Sequence, residues 1–194
     1  MALKLGYEDR KGLMSVERFM RHYFLIAKEV GDLTRSICSI LEDRQKKSVP
    51  VISKAISFIY AKNLEGFIVT SGRINIPNDK FFEDDSLNIL KLFYFASEQD
   101  VFIHPNAIKV LRKSINLVNA KLRSNKDAND LFLKILLSKK NAETTLRAMN
   151  ETGVLGRFIL DFGKIVGLMQ FNMYHHFTAD EHLLRAIGEL NRIF

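Results

Sequence analysis

A regular spacing of mostly apolar residues near the amino terminus constrains the fold of this chain more than any other feature. The steps between these residues alternate between four and three, in the order Val16, Met20, Tyr23, Ala27, Val30, Thr34, Ile37 and Leu41. An alternation of this kind follows one face of an α-helix, and Ser15 stands where an N-cap is expected. We therefore predict one long helix from Ser15 to about Glu42.

A second set of residues widens the apolar face of this helix: Phe19, Phe24, Leu33 and Cys38. A face of this width predicts that the helix is packed on two sides, with Cys38 in the core. Gly31 lies in mid-helix, where glycine costs ~1 kcal/mol relative to alanine. We therefore expect a close neighbour at Gly31.

The net charge of +7 allows an anionic partner, such as a nucleic acid, an anionic ligand or an acidic domain. The basic residues are spread along the chain and do not form the block that is typical of nucleic-acid-binding tails. On the long helix, Arg21, Lys28 and Arg35 follow one another at intervals of seven residues. This basic stripe could help to hold an anionic nucleotide or could simply face solvent.

The rest of the chain predicts a mainly α fold with one small β-hairpin. Residues 67–70 and 73–76 have the composition of strands, the turn between them is Ser71-Gly72, and Pro77 ends the second strand. Two strands alone are marginally stable, so we expect this hairpin to pack on helices. Residues 51–60 are apolar and compatible with either a strand or a helix.

Helical periodicity returns after Asp84, where one predicted helix carries Leu87, Leu90 and Tyr94 on one face. Further helices are predicted at residues 105–122, which begin with a proline, at about 127–137, and at 141–151, where Asn141 is the expected N-cap. The glycine at position 153 is expected to end the last of these. A final helix opens with the sequence TADE at 178–181, which fits a capping box. It is expected to bury three residues: Leu183, Ile187 and Leu190.

The sequence contains no signal for secretion or membrane insertion. The amino terminus lacks the apolar stretch of a signal peptide, and no run approaches the ~18 apolar residues of a membrane span. The single cysteine excludes an internal disulfide. We therefore expect a soluble, cytoplasmic protein that does not bind membranes.

Motifs for a complete active site are also missing. The chain has no P-loop, dinucleotide fingerprint or Cys-based metal motif, and no Asp-x-Asp pair that would hold magnesium for nucleotidyl transfer. His175, His176 and His182 are clustered and could bind a divalent metal, although three histidines alone do not define a site. His22 and His104 are expected to be structural or solvated.

Two parts of the chain resemble a known enzyme family. One is Met149–His182, with the sequence MNETGVLGRFILDFGKIVGLMQFNMYHHFTADEH. The other comprises Ser15–Phe24 and Val30–Arg35. Both resemble the bifunctional uridylyltransferase/uridylyl-removing enzymes of bacterial nitrogen signalling. The first part is highly specific, whereas the second also has loose relatives among other nucleotidyltransferases.

The resemblance implies that the chain is part of a larger enzyme. The family combines a nucleotidyltransferase domain, a helical connecting region, an HD-type metal phosphohydrolase domain and two ACT domains. By resemblance, residues 1–172 are the connecting region that follows the transferase core, and residues 173–194 are the first helix of a truncated HD domain. The glycine-and-carboxylate motif of the transferase and the His-Asp pair of the HD domain are both absent. The chain alone is therefore expected to be inactive, with no catalytic or cofactor-binding residue of its own.

The resemblance also implies substrates, partners and a metal. The parent would transfer UMP from UTP to a tyrosine of the PII signal protein when glutamine is scarce, and remove it when glutamine is plentiful. Its cofactor would be Mg²⁺ or Mn²⁺, and its partners would be PII and the other domains of the same chain. His182 matches the early metal-ligating histidine of HD-type sites and is the one metal ligand that the resemblance assigns in this chain.

The chain departs from the family at two places. It has Ile159-Leu160 where Ile-Pro is usual, which leaves the local turn open because proline fixes φ. It has Phe177-Thr178-Ala179-Asp180 where Tyr-Thr-Val-Asp is usual, which keeps the threonine at the N-cap.

Two other classes of function stay open. The charge also fits a helical nucleic-acid-binding module of an RNA-modifying protein related to nucleotidyltransferases, although Met149–His182 has no place in such a module. An autonomous scaffold protein is the third alternative, against which the uncapped last helix argues.

Overall fold

The computed structural model describes residues 1–10, 12–45, 64–70, 72–169 and 177–193. Within these ranges the chain is mainly helical with one two-stranded antiparallel sheet, as the sequence predicted. The helices are α1 Ser15–Gln45, α2 Phe81–Asp84, α3 Asn88–Glu98, α4 Pro105–Lys113, α5 Ala120–Arg123, α6 Lys126–Leu136, α7 Ala142–Glu151, α8 Val154–Phe158, α9 Leu160–Ile165 and α10 Ala179–Ile193. Short 3-10 turns occupy Leu3–Leu5 and Ile115–Leu117. Residues 51–60, which the sequence left between strand and helix, lie outside the described residues.

The predicted hairpin is present as β1 (Ile68–Thr70) and β2 (Arg73–Asn75). Val69 pairs with Ile74, and Gly72 in the turn has a φ of +73°, which glycine adopts without strain. The N–H of Ile74 donates to the carbonyl of Phe102, and its carbonyl accepts from the N–H of His104. His104 directly precedes α4, so the hairpin is tied to a helix, as predicted.

Helix α3 forms the centre of the core. Ile89, Leu90, Leu92 and Phe93 are completely buried, because the helix is enclosed by β2, α6 and α7. The sequence predicted burial of one face, which is too little for this helix. Helix α3 is apolar on most sides and is buried there, and a stripe through Lys91, Tyr94 and Glu98 stays partly or fully exposed.

The helix predicted at residues 105–122 is wrong, because the structure divides it into α4, a 3-10 turn and α5. The N–H of Ser114 closes α4 on the carbonyls of Val110 and Leu111. The side chain of Asn119 then accepts from the N–H of Leu122 and starts α5. Serine and asparagine favour helix ends because their side chains compete for main-chain hydrogen bonds.

The next two predicted helices are confirmed as α6 and α7. Gly153 follows α7 with a φ of +82°, and its N–H donates to the carbonyl of Asn150. Asn141 precedes α7, as predicted, but its amide does not cap the helix. It donates instead to the carbonyl of Ser97 and to Oδ1 of Asp100.

Helix α1 is confirmed, with Ser15 as its first residue rather than its cap. The position before it belongs to Met14, whose N–H donates to the carboxylate of Glu17 at 2.9 Å. The N–H of Ser15 donates to Oδ1 of Asp9, and this hydrogen bond lowers the pKa of Asp9. Two carboxylates thus accept hydrogen bonds from the N–H groups at the start of the helix.

The predicted packing of α1 is wrong. Much of its apolar face is exposed, at fractions between 49% and 61% for Tyr23, Ile26, Val30, Leu33, Ile37 and Leu41. Cys38 is also exposed, and no heavy atom lies within 4 Å of a Cβ placed on Gly31. The reason is that α1 meets the rest of the chain through its basic side, as described below.

Helix α10 also buries a different face from the one predicted. Of the three residues predicted to be buried, Ile187 is partly buried against the core, whereas Leu183 and Leu190 are exposed. The fully buried residues are Asp180, Leu184 and Gly188, at intervals of four residues. The pattern of apolar residues is misleading here because a carboxylate occupies the buried face. None of the helices in the described ranges combines the length and the apolar character that crossing a lipid bilayer requires.

Candidate functional site

A cleft of about 310 Å³ opens where α1, α7 and the start of α10 come together. Its walls carry charged and polar residues from parts of the chain that are distant in sequence: Lys28 from α1, Arg147 and Asn150 from α7, and Asp180 and Glu181 from α10. Helix α1 also contributes the apolar side chains of Phe24, Leu25 and Ala27, and Gly31. The loop residue Gly167 completes the wall. The cleft is therefore the place where both ends of the chain are joined.

We call the hydrogen-bonded group of Lys28, Asn150, Gly167 and Asp180 the joint. Asp180 is its central residue and is 5% exposed. Its Oδ2 accepts from Nδ2 of Asn150 at 2.9 Å, and its Oδ1 accepts from the N–H of Gly167 at 3.1 Å. A buried carboxylate requires such donors to offset its desolvation. Since Nδ2 of Asn150 faces the carboxylate, the buried Oδ1 of the same amide has no hydrogen-bond partner among the described residues.

Arg147 binds α7 to α10 beside this joint. Its Nη1 donates to the carboxylate of Glu181, and its Nη2 donates to Oε1 of Glu143 at 2.7 Å. The hydrogen bond to Glu181, with a smaller contribution from Glu143, raises the pKa of the Arg147 guanidinium. All three side chains are about a quarter to a third exposed, so water screens the two ion pairs of Arg147 only in part.

Two basic residues of the stripe attach α1 to the rest of the chain. Nζ of Lys28 donates to the carbonyl of Asn150, and Nη2 of Arg21 donates to the carbonyl of Lys164, both at 3.1 Å. Each acceptor lies in the last turn of a helix, where carbonyls lack intrahelical partners and the helix dipole favours a cation. The sequence predicted either solvent or a nucleotide for this stripe, and neither prediction included these contacts. The side chain of Arg35 lies outside the described part of the chain.

Gly167 brings α1 and α10 close together. It is buried with a φ of +67°, and a Cβ on it would lie 3.2 Å from Cδ2 of Leu25 in α1. Glycine is favoured here twice, by its positive φ and by the close approach of Leu25. No sequence pattern predicted a role for Gly167.

His182, the predicted metal ligand, lies outside the cleft. It is exposed, and its ring meets the ring of Phe177 at a centroid distance of 5.8 Å and an angle of 87°. His175 and His176 lie outside the described residues. Within the described ranges no three His, Cys, Asp or Glu side chains lie close enough to hold a metal. The metal role of His182 therefore stays a prediction.

The residues that form the joint were not predicted as a site. The sequence predicted Asp180 only as part of a capping box. For Asn150 and Gly167 it predicted no individual role, although both lie in the family-like segment Met149–His182. A signal was nevertheless present, since that segment contains all three residues.

Comparison with known proteins agrees with this resemblance. Residues 67–158 match the family model described as "Uridylyltransferase GlnD third domain". The chain is 50% identical over 200 residues to the bifunctional uridylyltransferase/uridylyl-removing enzyme of Bradyrhizobium sp. strain BTAi1, and 49% identical over 199 residues to that of Nitrobacter winogradskyi. Both alignments cover all of this chain and 21% of the relative. No solved structure matches the chain.

The chain is thus similar, from end to end, to one helical segment of a multidomain enzyme, and it spans about a fifth of the length of these relatives. Specifically, it is related to the bifunctional uridylyltransferase/uridylyl-removing enzymes, which confirms the family that the sequence predicted. The match to the third domain includes neither α1 nor α10. The two helices that meet at the cleft therefore flank the matched domain.

Proposed function

We propose that this chain is the helical connector of a cytoplasmic, bifunctional enzyme that adds UMP to the PII signal protein and removes it in response to glutamine. The relatives are named for uridylyl transfer and uridylyl removal. In the parent, the transferase domain uses UTP and the HD domain hydrolyses the UMP–tyrosine bond. The connector supports the first domain and positions the second, and alone it carries neither activity.

The observation that carries this proposal is the shared use of Asn150. Its main-chain carbonyl accepts from Lys28 of α1, and its side-chain amide donates to Asp180 of α10. One residue of α7 therefore contacts the helices at both ends of the chain. A change in the direction of either helix alters the same hydrogen-bonded group, so the joint couples the orientations of the two flanking domains.

The exposed face of α1 supports the transferase side of the proposal. Its apolar residues are spaced by three and four: Tyr23, Ile26, Val30, Leu33, Ile37 and Leu41. This spacing is typical of a seam between helices, and an apolar surface of this length marks an interaction site. About four fifths of each relative lies outside the aligned segment, and the transferase domain within it is the proposed occupant.

The outer face of α10 supports the HD side. Leu183, Leu190 and Ile193 are exposed there, and His182 lies outside the cleft. We propose that the remainder of the HD domain covers this face and that His182 is one of its metal ligands. A single imidazole cannot enclose an ion, so the other ligands come from outside this chain. The metal supplies Lewis-acid activation of the phosphodiester.

A variant of the joint tests the proposal in the full-length enzyme. Lys28→Met removes the donor to Asn150 and keeps the length of the side chain. The ratio of UMP addition to removal at fixed glutamine is expected to change about twofold or more, as for coupling changes of ~0.5–2 kcal/mol. Lys126→Met, at an exposed position in α6, is the matched control. A ratio that is equal in the two variants would contradict the coupling role.

The charge of +7 supports a second candidate, a nucleic-acid-binding module. However, Arg21 and Lys28 donate hydrogen bonds to carbonyl groups of this chain rather than facing solvent, where a phosphate could bind. An RNA-binding titration separates the two functions, since phosphate binding weakens steeply as salt rises. Tight, salt-sensitive binding would favour the module over the connector.

A further inference from the structure

A cluster of three side chains forms at the start of α10. The guanidinium carbon of Arg185 lies 3.9 Å from the ring centroid of Phe177, and the ring of Phe177 meets the imidazole of His182 edge to face. Nε of Arg185 also donates to Oε1 of Glu181 at 3.3 Å. Glu181 is in turn held by Arg147 of α7.

We propose that Phe177 and Arg185 are positioning residues for the imidazole of His182, and that Glu181 and Arg147 anchor them to α7. An aromatic ring prefers edge-to-face contact with a second ring, and a cation over its face holds it in place. The contact with the ring of Phe177 restricts the rotation of the His182 imidazole among its rotamers, and Arg185 holds that ring in place. This inference rests on the proposed role of His182 as a metal ligand.

The choice of residue at position 177 supports this role. Phenylalanine supplies an aromatic ring there and no hydroxyl, so its part in the cluster is that of the ring alone. The contacts of Phe177 with His182 and with Arg185 are both made by its ring. Metal-ligating histidines are usually oriented by neighbouring groups, and here the neighbouring group is aromatic.

The positioning role is tested by NMR of the metal-free 194-residue chain. Phe177→Leu removes the ring that contacts the imidazole and keeps an apolar side chain. The Hα–Hβ couplings of His182, which report its χ1 rotamer independently of ring currents, are expected to move toward the averaged values of an unfolded peptide, and to return in Phe177→Tyr. Arg185→Gln should move them in the same direction. Arg192→Gln, which breaks an exposed ion pair with Glu189 on the same helix, is the control.

Unchanged His182 couplings in Phe177→Leu would overturn the positioning role, whatever the metal ligands are. A second measurement, titration of the metal-free parent enzyme with Mn²⁺, tests whether the orientation of His182 affects metal binding. Phe177→Leu should weaken binding about tenfold, as for other groups that orient a ligand, and UMP addition should be unaffected. Normal Mn²⁺ binding in His182→Ala would instead defeat the ligand assignment and leave the NMR result as the test of positioning.

Discussion

Asn150 and Asp180 are joined by a hydrogen bond of 2.9 Å across 30 positions of sequence. The first residue lies in the last turn of α7 and the second in the first turn of α10. Both are buried, so water does not compete for the bond. It fixes where α10 begins and which of its faces points outward.

Replacing Asp180 with alanine should therefore destabilise the chain. The change leaves the amide of Asn150 and the N–H of Gly167 without their acceptor, and buried hydrogen bonds to charged groups contribute ~1.5–3 kcal/mol. The melting temperature is expected to fall by about 3–10 °C in a chain of this size. Thermal unfolding followed by circular dichroism measures it.

Asp161→Ala is the matched control for this change. Asp161 pairs with Lys164, and the two side chains are 89% and 76% exposed. An ion pair at this exposure contributes little to stability, so the melting temperature should hardly change. Equal effects of the two substitutions would show that Asp180 is not the central residue of the joint.

Gly31→Ala should raise the stability of the chain. No atom lies within 4 Å of a Cβ at this position, and alanine in a helix interior is favoured over glycine by ~0.5–1 kcal/mol. The expected rise in melting temperature is about 1–4 °C. Gly167→Ala should have the opposite effect, because of its positive φ and the contact with Leu25. A fall in melting temperature with Gly31→Ala would mean that this wall of the cleft is covered.

The contrast between α1 and the hairpin shows how far the sequence could predict the fold. The hairpin was predicted well because its signals are local: two strands, a two-residue turn with Gly72, and a proline after it. The existence of α1 was predicted for the same reason. Its packing was not, because apolar spacing shows which face can be buried and does not show whether this chain supplies the neighbour.

The joint could not be predicted from periodicity at all. Asp180 lies on the buried face of α10, and its burial depends on donors from Asn150 and Gly167, which lie far away in sequence. Long-range pairing of polar groups leaves no pattern in a single sequence. Only the resemblance of Met149–His182 to a family indicated that these residues belong together.

Leu160→Pro should be tolerated. Ile159 is extended, with φ −106° and ψ 96°, which suits the residue before proline. Leu160 is the first residue of α9 and is exposed, and proline is favoured at this helical position. The melting temperature should stay constant or rise slightly.

Lys164→Pro, in the last turn of the same helix, is the comparison. Proline there removes a helical hydrogen bond and clashes with the preceding turn, at a cost of ~3 kcal/mol. A loss of stability as large in Leu160→Pro as in Lys164→Pro would contradict the turn geometry between α8 and α9. It would also leave the usual proline of the family without an explanation.

Leu33→Asp should have little effect on the chain alone and a large effect on the full-length enzyme. Leu33 is 61% exposed, so in the chain alone the change in unfolding free energy should stay within ~0.5 kcal/mol. In the full-length enzyme the same face is proposed to pack on the transferase domain. There the loss of buried leucine costs ~1.5–3 kcal/mol, and UMP addition should fall. A small effect in both proteins would show that the face of α1 is free in the parent as well.

The most direct measurement is the activity of the full-length enzyme with His182→Ala, assayed in both directions. If His182 is a metal ligand of the HD domain, as proposed, removal of UMP should fall by at least about a hundredfold, while addition of UMP stays close to normal. His22→Ala, an exposed histidine on α1, should leave removal unchanged. Normal removal of UMP by His182→Ala would contradict the account.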